Sequence, residues 1–150
     1  MRLLITCSGG GHLAQAWALK SWWEQFEDRT WVTFPTEDTR TRLKGERVIE
    51  CHYPTVRHLP NLVRNTLLAR RVLHDLRPDL IFSTGAAISV PFFAQARRVG
   101  ARTAHLEPID RISGPGLTGK LLYPMTDLFM VQWESMQELL PESTNVGLVL

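Results

Sequence analysis

Three short stretches place reactive side chains where a backbone turn could present them. The first is Ser8-Gly9-Gly10-Gly11-His12. Glycines let the chain turn tightly and let a ligand approach with no Cβ in the way. A helix behind them offers free N–H groups and the positive end of its dipole. That is a seat for phosphate, or for a sugar oxygen that becomes negative during reaction. His12 stands at the mouth of this turn, where it serves equally well as a general base or as a cap that holds the loop. The second stretch holds Glu107, Asp110 and Arg111. A carboxylate there can take a proton or bind sugar hydroxyls, and an arginine can hold phosphate. A polar loop with a local ion pair accounts for the same residues. The third is the small-residue turn Thr84-Gly85-Ala86-Ala87, with Ser89 just beyond it.

Several familiar motifs are approached and not completed. Gly9, Gly11 and Ala14 form G-x-G-x-x-A, the dinucleotide fingerprint with alanine in its last slot. That fingerprint wants an acid at the end of the second strand. Here the strand runs into Pro35-Thr36, and Glu37 and Asp38 come late. Gly114 to Lys120 spells G-x-x-x-x-G-K, but Leu121 stands where a P-loop needs Ser or Thr. The histidines His12, His52, His58, His74 and His105 are scattered and give no metal-ligand spacing. There is no G-x-S-x-G nucleophile elbow.

The elements that must carry these turns follow from the hydrophobic pattern. Strands are expected at 2–7, 30–34, 47–51, 79–83, 103–106 and 127–132, with a last short strand at 145–150. Helices are expected from Leu13 to about Phe26, over 59–76, from the turn after Thr84 to about Val99, over 117–123 and over 134–140. Pro91 falls in the first turn of its helix, where proline is tolerated, and Gly100 ends that helix. Residues 35–45 are polar and charged and read as a loop. Strands alternating with helices imply a parallel sheet with right-handed crossovers. Ligands then bind beyond the carboxyl ends of the strands. The loops 8–12, 35–40, 83–89 and 107–120 and the pair Trp133-Glu134 are therefore the expected functional ones.

The chain has 150 residues, 44% hydrophobic and 21% charged, with a formal net charge of +2. This is one ordinary globular α/β domain, 1–150, and nucleic acid is not demanded by its charge. Two cysteines, Cys7 and Cys51, each end an expected strand and are expected as buried free thiols in a reducing compartment. No leader is expected, because the first residues run directly into a strand. No apolar run approaches the roughly 18–20 residues of a membrane span. Arg57, His58, Arg64, Arg70, Arg71 and Arg77 line or flank the long helix, with Asp75 the one acid among them. That is either a solvated basic face or an attraction to anionic lipid headgroups.

Taken in order and spacing, six stretches resemble a known family. They are the glycine-His turn, 78–85, Ser89-Val90-Pro91, His105-Leu106-Glu107, 117–124 and 127–134. Together they resemble the PssD-type polysaccharide biosynthesis glycosyltransferase subunits. They are also similar to the membrane-recruiting subunit of the eukaryotic two-part transferase that adds the second N-acetylglucosamine to dolichol-linked oligosaccharide, and more distantly to the N-terminal half of MurG. The resemblance implies a Rossmann-like parallel sheet flanked by helices, the N-terminal, acceptor-side half of a split GT-B enzyme. It implies no metal or other cofactor. It implies a small partner chain that binds the nucleotide sugar, a polyprenyl-diphosphate-linked saccharide acceptor, and a cytoplasmic, peripheral place at the inner face of the cell membrane. By the same resemblance His12 and Glu107 are the catalytic candidates. Ser8, Gly9, Gly10, Gly11, Thr84, Gly85, Ser89, Arg111 and Lys120 are the substrate-binding candidates. Two alternatives stand beside this one: a non-catalytic enhancer or membrane-docking subunit of a separate transferase, and a dinucleotide-binding domain.

Overall fold

A computed structural model describes residues 1–55 and 57–149. Seven parallel strands form one sheet: β1 (Arg2–Thr6), β2 (Asp28–Thr33), β3 (Val48–Glu50), β4 (Leu80–Ser83), β5 (Arg102–Leu106), β6 (Leu128–Val131) and β7 (Thr144–Asn145). Their order is β3-β2-β1-β4-β5-β6-β7, which is the doubly wound arrangement expected from the alternating pattern. The order reverses between β1 and β4, so a crevice opens above the carboxyl ends of those two strands.

Helices cover the sheet as α1 (Gly11–Ala18), α2 (Lys20–Trp23), α3 (Glu37–Arg42), α4 (Leu59–Leu76), α5 (Ser89–Ala96), α6 (Leu117–Leu122) and α7 (Glu134–Leu139). One face of the sheet buries Leu4, Val32, Ile81 and Phe129 against Leu73, Phe92, Phe93 and Leu122 of α4, α5 and α6. The other buries Leu3, Ile5, Trp31 and Phe82 with Leu13, Ala16 and Trp23 of α1 and α2. Each such side chain contributes about 1.5–3 kcal/mol.

Three elements depart from expectation. The first helix is broken at Leu19, whose backbone (φ −92°, ψ 21°) leaves the helical region. The Trp23 indole N–H donates to the Ala16 carbonyl across the break at 2.9 Å. Its ring meets Trp31 edge-on at 5.3 Å. The stretch expected as a loop contains α3, which local charge and capping stabilise. Thr36 caps it by accepting from the Thr39 N–H, Glu37 and Asp38 occupy its first turn, and Arg40 and Arg42 its last. At the far edge only Thr144–Asn145 pairs with β6. The Val146 N–H still donates to the Val131 carbonyl at 2.9 Å, residues 147–149 run on beyond the strand, where the Val149 N–H donates to the Gln132 side chain, and Leu150 lies outside the described residues.

Candidate functional site

Above the strand ends lies a cleft of about 650 Å³. Ser8 and His12 reach it from the turn after β1, Phe34 from the end of β2, and Tyr53 and Arg57 from the loop after β3. Gly85 reaches it from the turn after β4, and Glu107, Arg111 and Gly116 from the loop after β5. The order around the rim is the strand order of the sheet.

His12 is held from both ends across the switch point. Its Nδ1 lies 2.8 Å from the Thr84 carbonyl oxygen, and the Thr84 hydroxyl donates to the His12 carbonyl at 2.6 Å. A carbonyl can only accept, so the proton on this ring sits on Nδ1 and Nε2 is left as the acceptor. The imidazole does not cap α1: Gly10 is the N-cap, with no side-chain cap bond. Gly85 is required beside it. Its φ of +119° suits glycine, and a Cβ there would fall on the His12 ring.

The glycine turn is closed by the protein itself. Gly10 takes φ 68°, and its N–H donates to Asp38 Oδ2 at 3.1 Å. Asp38 is held below the usual carboxylate range by Arg42 first and by that N–H second. A carboxylate thus already engages the Gly10 N–H, one of the donors of this turn. Gly9 packs on the cap of α3, since a Cβ would stand 2.9 Å from Thr36 Oγ1. Gly11 opens α1 with free space around it.

Glu107 lines the cleft but is only 2% exposed. One carboxylate oxygen lies 2.8 Å from His105 Nε2, and the other accepts the Gly116 N–H at 3.0 Å. The backbone around it is pinned as well. The Gln132 side chain donates to the Glu107 carbonyl, the Trp133 indole to Ile109 and the Ser135 hydroxyl to Ile112. Gln132 and Trp133, on the segment entering α7, therefore hold this loop and do not line the cleft. Arg111 lies on the rim, 4.0 Å from Asp110.

Four substrate-binding expectations are relocated. Ser89 is fully buried: its hydroxyl lies 2.7 Å from Ser83 Oγ and 2.9 Å from Thr6 Oγ1, tying α5 to β1 and β4. Thr84 is also buried, and its hydroxyl is engaged by the His12 carbonyl. Lys120 is exposed on α6 and does not line the cleft. Gly10 is spent on Asp38. Sequence reasoning passed over the loop after β3, with Tyr53 and Arg57, although the rule of carboxyl ends applies to β3 as to the others. His105 was named only among the scattered histidines and within the His105-Leu106-Glu107 stretch, with no role of its own. Its signal was the spacing His105-x-Glu107, because residues two apart on a strand share a face.

Comparison with known proteins gives the same frame. The family profile described as oligosaccharide biosynthesis protein Alg14 like matches residues 25–149. The human protein named UDP-N-acetylglucosamine transferase subunit ALG14 is 29% identical over 101 residues, covering 61% of this chain and 47% of that protein. The mouse protein of the same name is 30% identical over 81 residues, covering 50% of this chain and 37% of its own. The chain thus spans about half the length, or less, of these curated relatives. Among solved structures, Acinetobacter baumannii MurG superposes with a TM-score of 0.75 at 20% identity, over 90% of this chain and 42% of that one. A UDP-GlcNAc 2-epimerase from Methanocaldococcus jannaschii superposes with a TM-score of 0.71 at 12% identity, over 94% and 42%. At these identities the two structures speak for the fold alone, a Rossmann-like half such as GT-B enzymes use. The profile covers most of the sequence, including the Glu107 loop and its supports, and the chain belongs to the Alg14-like family of oligosaccharide biosynthesis proteins.

Proposed function

We propose that this chain is the acceptor-side subunit of a two-chain inverting glycosyltransferase. It would move a sugar from a UDP-sugar to a polyprenyl-diphosphate-linked saccharide in exopolysaccharide or capsule synthesis. The observation that carries this is His12: Nδ1 is committed to the Thr84 carbonyl, which leaves Nε2 as the ring's acceptor, and the residue lines the crevice where the strand order reverses. In the reaction Nε2 takes the proton of the acceptor hydroxyl, the oxygen forms its bond to the anomeric carbon, and UDP leaves with the electron pair of the broken bond. Glu107 forms the facing wall, and Arg57 and Arg111 on the rim offer positive charge to a diphosphate.

The partner reading is supported by an apolar groove of about 680 Å³ on the sheet face beside α2. It is floored by Leu80, Phe82, Leu106 and Met130 and edged by Leu128 and Val149. A nucleotide-sugar-binding chain would dock an apolar segment there. For membrane contact, α4 presents Leu59, Leu62, Val63 and Leu67 to solvent. Arg70, Arg71 and His74 continue the same stripe toward its end. Leucines at the headgroup boundary and arginines on lipid phosphates describe a peripheral contact. Among the described residues no helix is long and apolar enough to cross a membrane.

The test is transfer of labelled sugar from a set of UDP-sugars, with UDP-N-acetylglucosamine first, to a membrane lipid extract. This chain, a small nucleotide-sugar-binding chain supplied as its partner, and their mixture are assayed side by side. Transfer only in the mixture is expected. Full transfer by the second chain alone would reduce this one to an enhancer or anchor.

A further inference from the structure

His105 has no part in the scheme above, yet it is among the most constrained side chains in the molecule. It is 0% exposed on β5, with Phe129 at 4.8 Å and Phe93 at 6.5 Å between ring centroids. Its Nε2 faces Glu107 Oε2 at 2.8 Å, and its Nδ1 is buried with no partner among the described residues. An orphaned lone pair in an aromatic slot costs less than an orphaned N–H, so the tautomer that fits carries its proton on Nε2 and donates to Glu107.

That carboxylate explains Gly119 in the 114–120 stretch, which mimics a P-loop without completing it. The Gly116 N–H, at the N-cap of α6, donates to Glu107 Oε1. Gly119 is buried, and a Cβ on it would fall on both carboxylate oxygens. Glu107, in the loop after β5, thus sits where α6 lacks a side chain and holds the N–H of that helix's N-cap residue. Everything between Glu107 and Gly116, Arg111 included, is a loop closed by this clasp.

We propose that His105 is a positioning residue. It orients the Glu107 carboxylate, and Glu107 in turn holds the 108–116 loop closed as one wall of the cleft. His105 lies at the floor of the cleft with no exposed surface, so it acts through Glu107, whose carboxylate it touches. The consequence for acceptor binding rests on the functional reading given above; the clasp itself does not.

Two variants separate the clasp from mere packing. His105→Phe fills the aromatic slot and removes the donor. His105→Gln places an amide N–H₂ near the position of Nε2. The loop is read by limited trypsin digestion of the folded protein, as cleavage after Arg111. That residue is the one basic side chain between Glu107 and Lys120. With the donor lost, cleavage after Arg111 accelerates by about tenfold, the scale of one hydrogen bond to a charged group. In His105→Gln it returns close to the parent rate. In the reconstituted transferase, His105→Phe raises the KM for lipid acceptor about as much, leaves the donor KM unchanged and is rescued by His105→Gln. Cleavage at the parent rate in both variants, or equal acceleration in both, would overturn the proposal. Faster cleavage with an unchanged acceptor KM would keep the clasp and remove the acceptor site from this cleft.

Discussion

The chemistry at the scale of one residue turns on which nitrogen of His12 is spent. Thr84 takes Nδ1 through its carbonyl, and its hydroxyl fixes the His12 backbone in return. Thr84→Val keeps the shape and loses the hydroxyl bond. We expect about 1 kcal/mol less stability by denaturant melting and a fall in kcat larger than any change in KM. Gly85→Ala, which drives a methyl into the imidazole, should impair transfer more than it impairs folding. The two thiols are both kept unreactive by burial. Burial pushes both Cys7 and Cys51 up to about 12, which leaves almost no thiolate near neutrality. Both should resist a disulfide reagent at pH 8 while the chain is folded and react fully in denaturant. Fast reaction of either in the native protein would contradict the burial.

Between neighbouring elements, Asp127 joins β6 to β5. Its carboxylate accepts the Thr103 N–H at 2.8 Å and the Thr103 hydroxyl at 3.2 Å. Burial pushes its pKa upward, but those bonds and Arg102 outweigh it and hold the group below the usual carboxylate range. A depressed folded pKa gives stability that is present above the unfolded value and lost as pH falls from about 4 downward. Asp127→Asn should therefore cost about 1 kcal/mol at pH 7, and the difference from the parent should vanish in acid. A constant difference across pH would contradict it. The elements also show what the sequence could carry. Six strands were legible because Leu, Ile, Val and Phe cluster between Gly and Pro. The helix α3 was not, because it buries little besides Thr39 and is stabilised by its cap and by the Asp38–Arg42 pair at 2.7 Å. The break at Leu19 has no glycine or proline to announce it; the Trp23 indole N–H bonds the Ala16 carbonyl across it. In the site, His12 and Glu107 were legible from their turns. The burial of Ser89 and the clasp at His105 were not, because both depend on which face of a strand meets which helix.

For the whole molecule, strand order explains why residues from five separate loops share one cleft, and why two further surfaces lie apart from it. The exposed stripe of α4 should bind vesicles containing anionic lipid, and binding should weaken as salt rises. The paired change Leu62→Glu and Leu67→Glu should lower vesicle binding at least about tenfold while leaving the melting curve within about 0.5 kcal/mol, since both side chains already face water. Vesicle binding indifferent to both salt and these substitutions would remove α4 from the membrane contact. On the opposite face, the groove over Leu106 and Met130 should accept the second chain, and Leu128→Asp at its edge should weaken association without altering vesicle binding.

The central claim is that this chain supplies the proton acceptor, and not only a platform. The most direct measurement is kcat of the reconstituted two-chain transferase with His12→Ala, at saturating donor and acceptor, with complex formation confirmed. The account predicts a loss of about 10²–10⁴-fold, with association and acceptor KM close to those of the parent. A kcat equal to the parent would contradict it and leave the chain as a docking subunit for a transferase that is complete elsewhere.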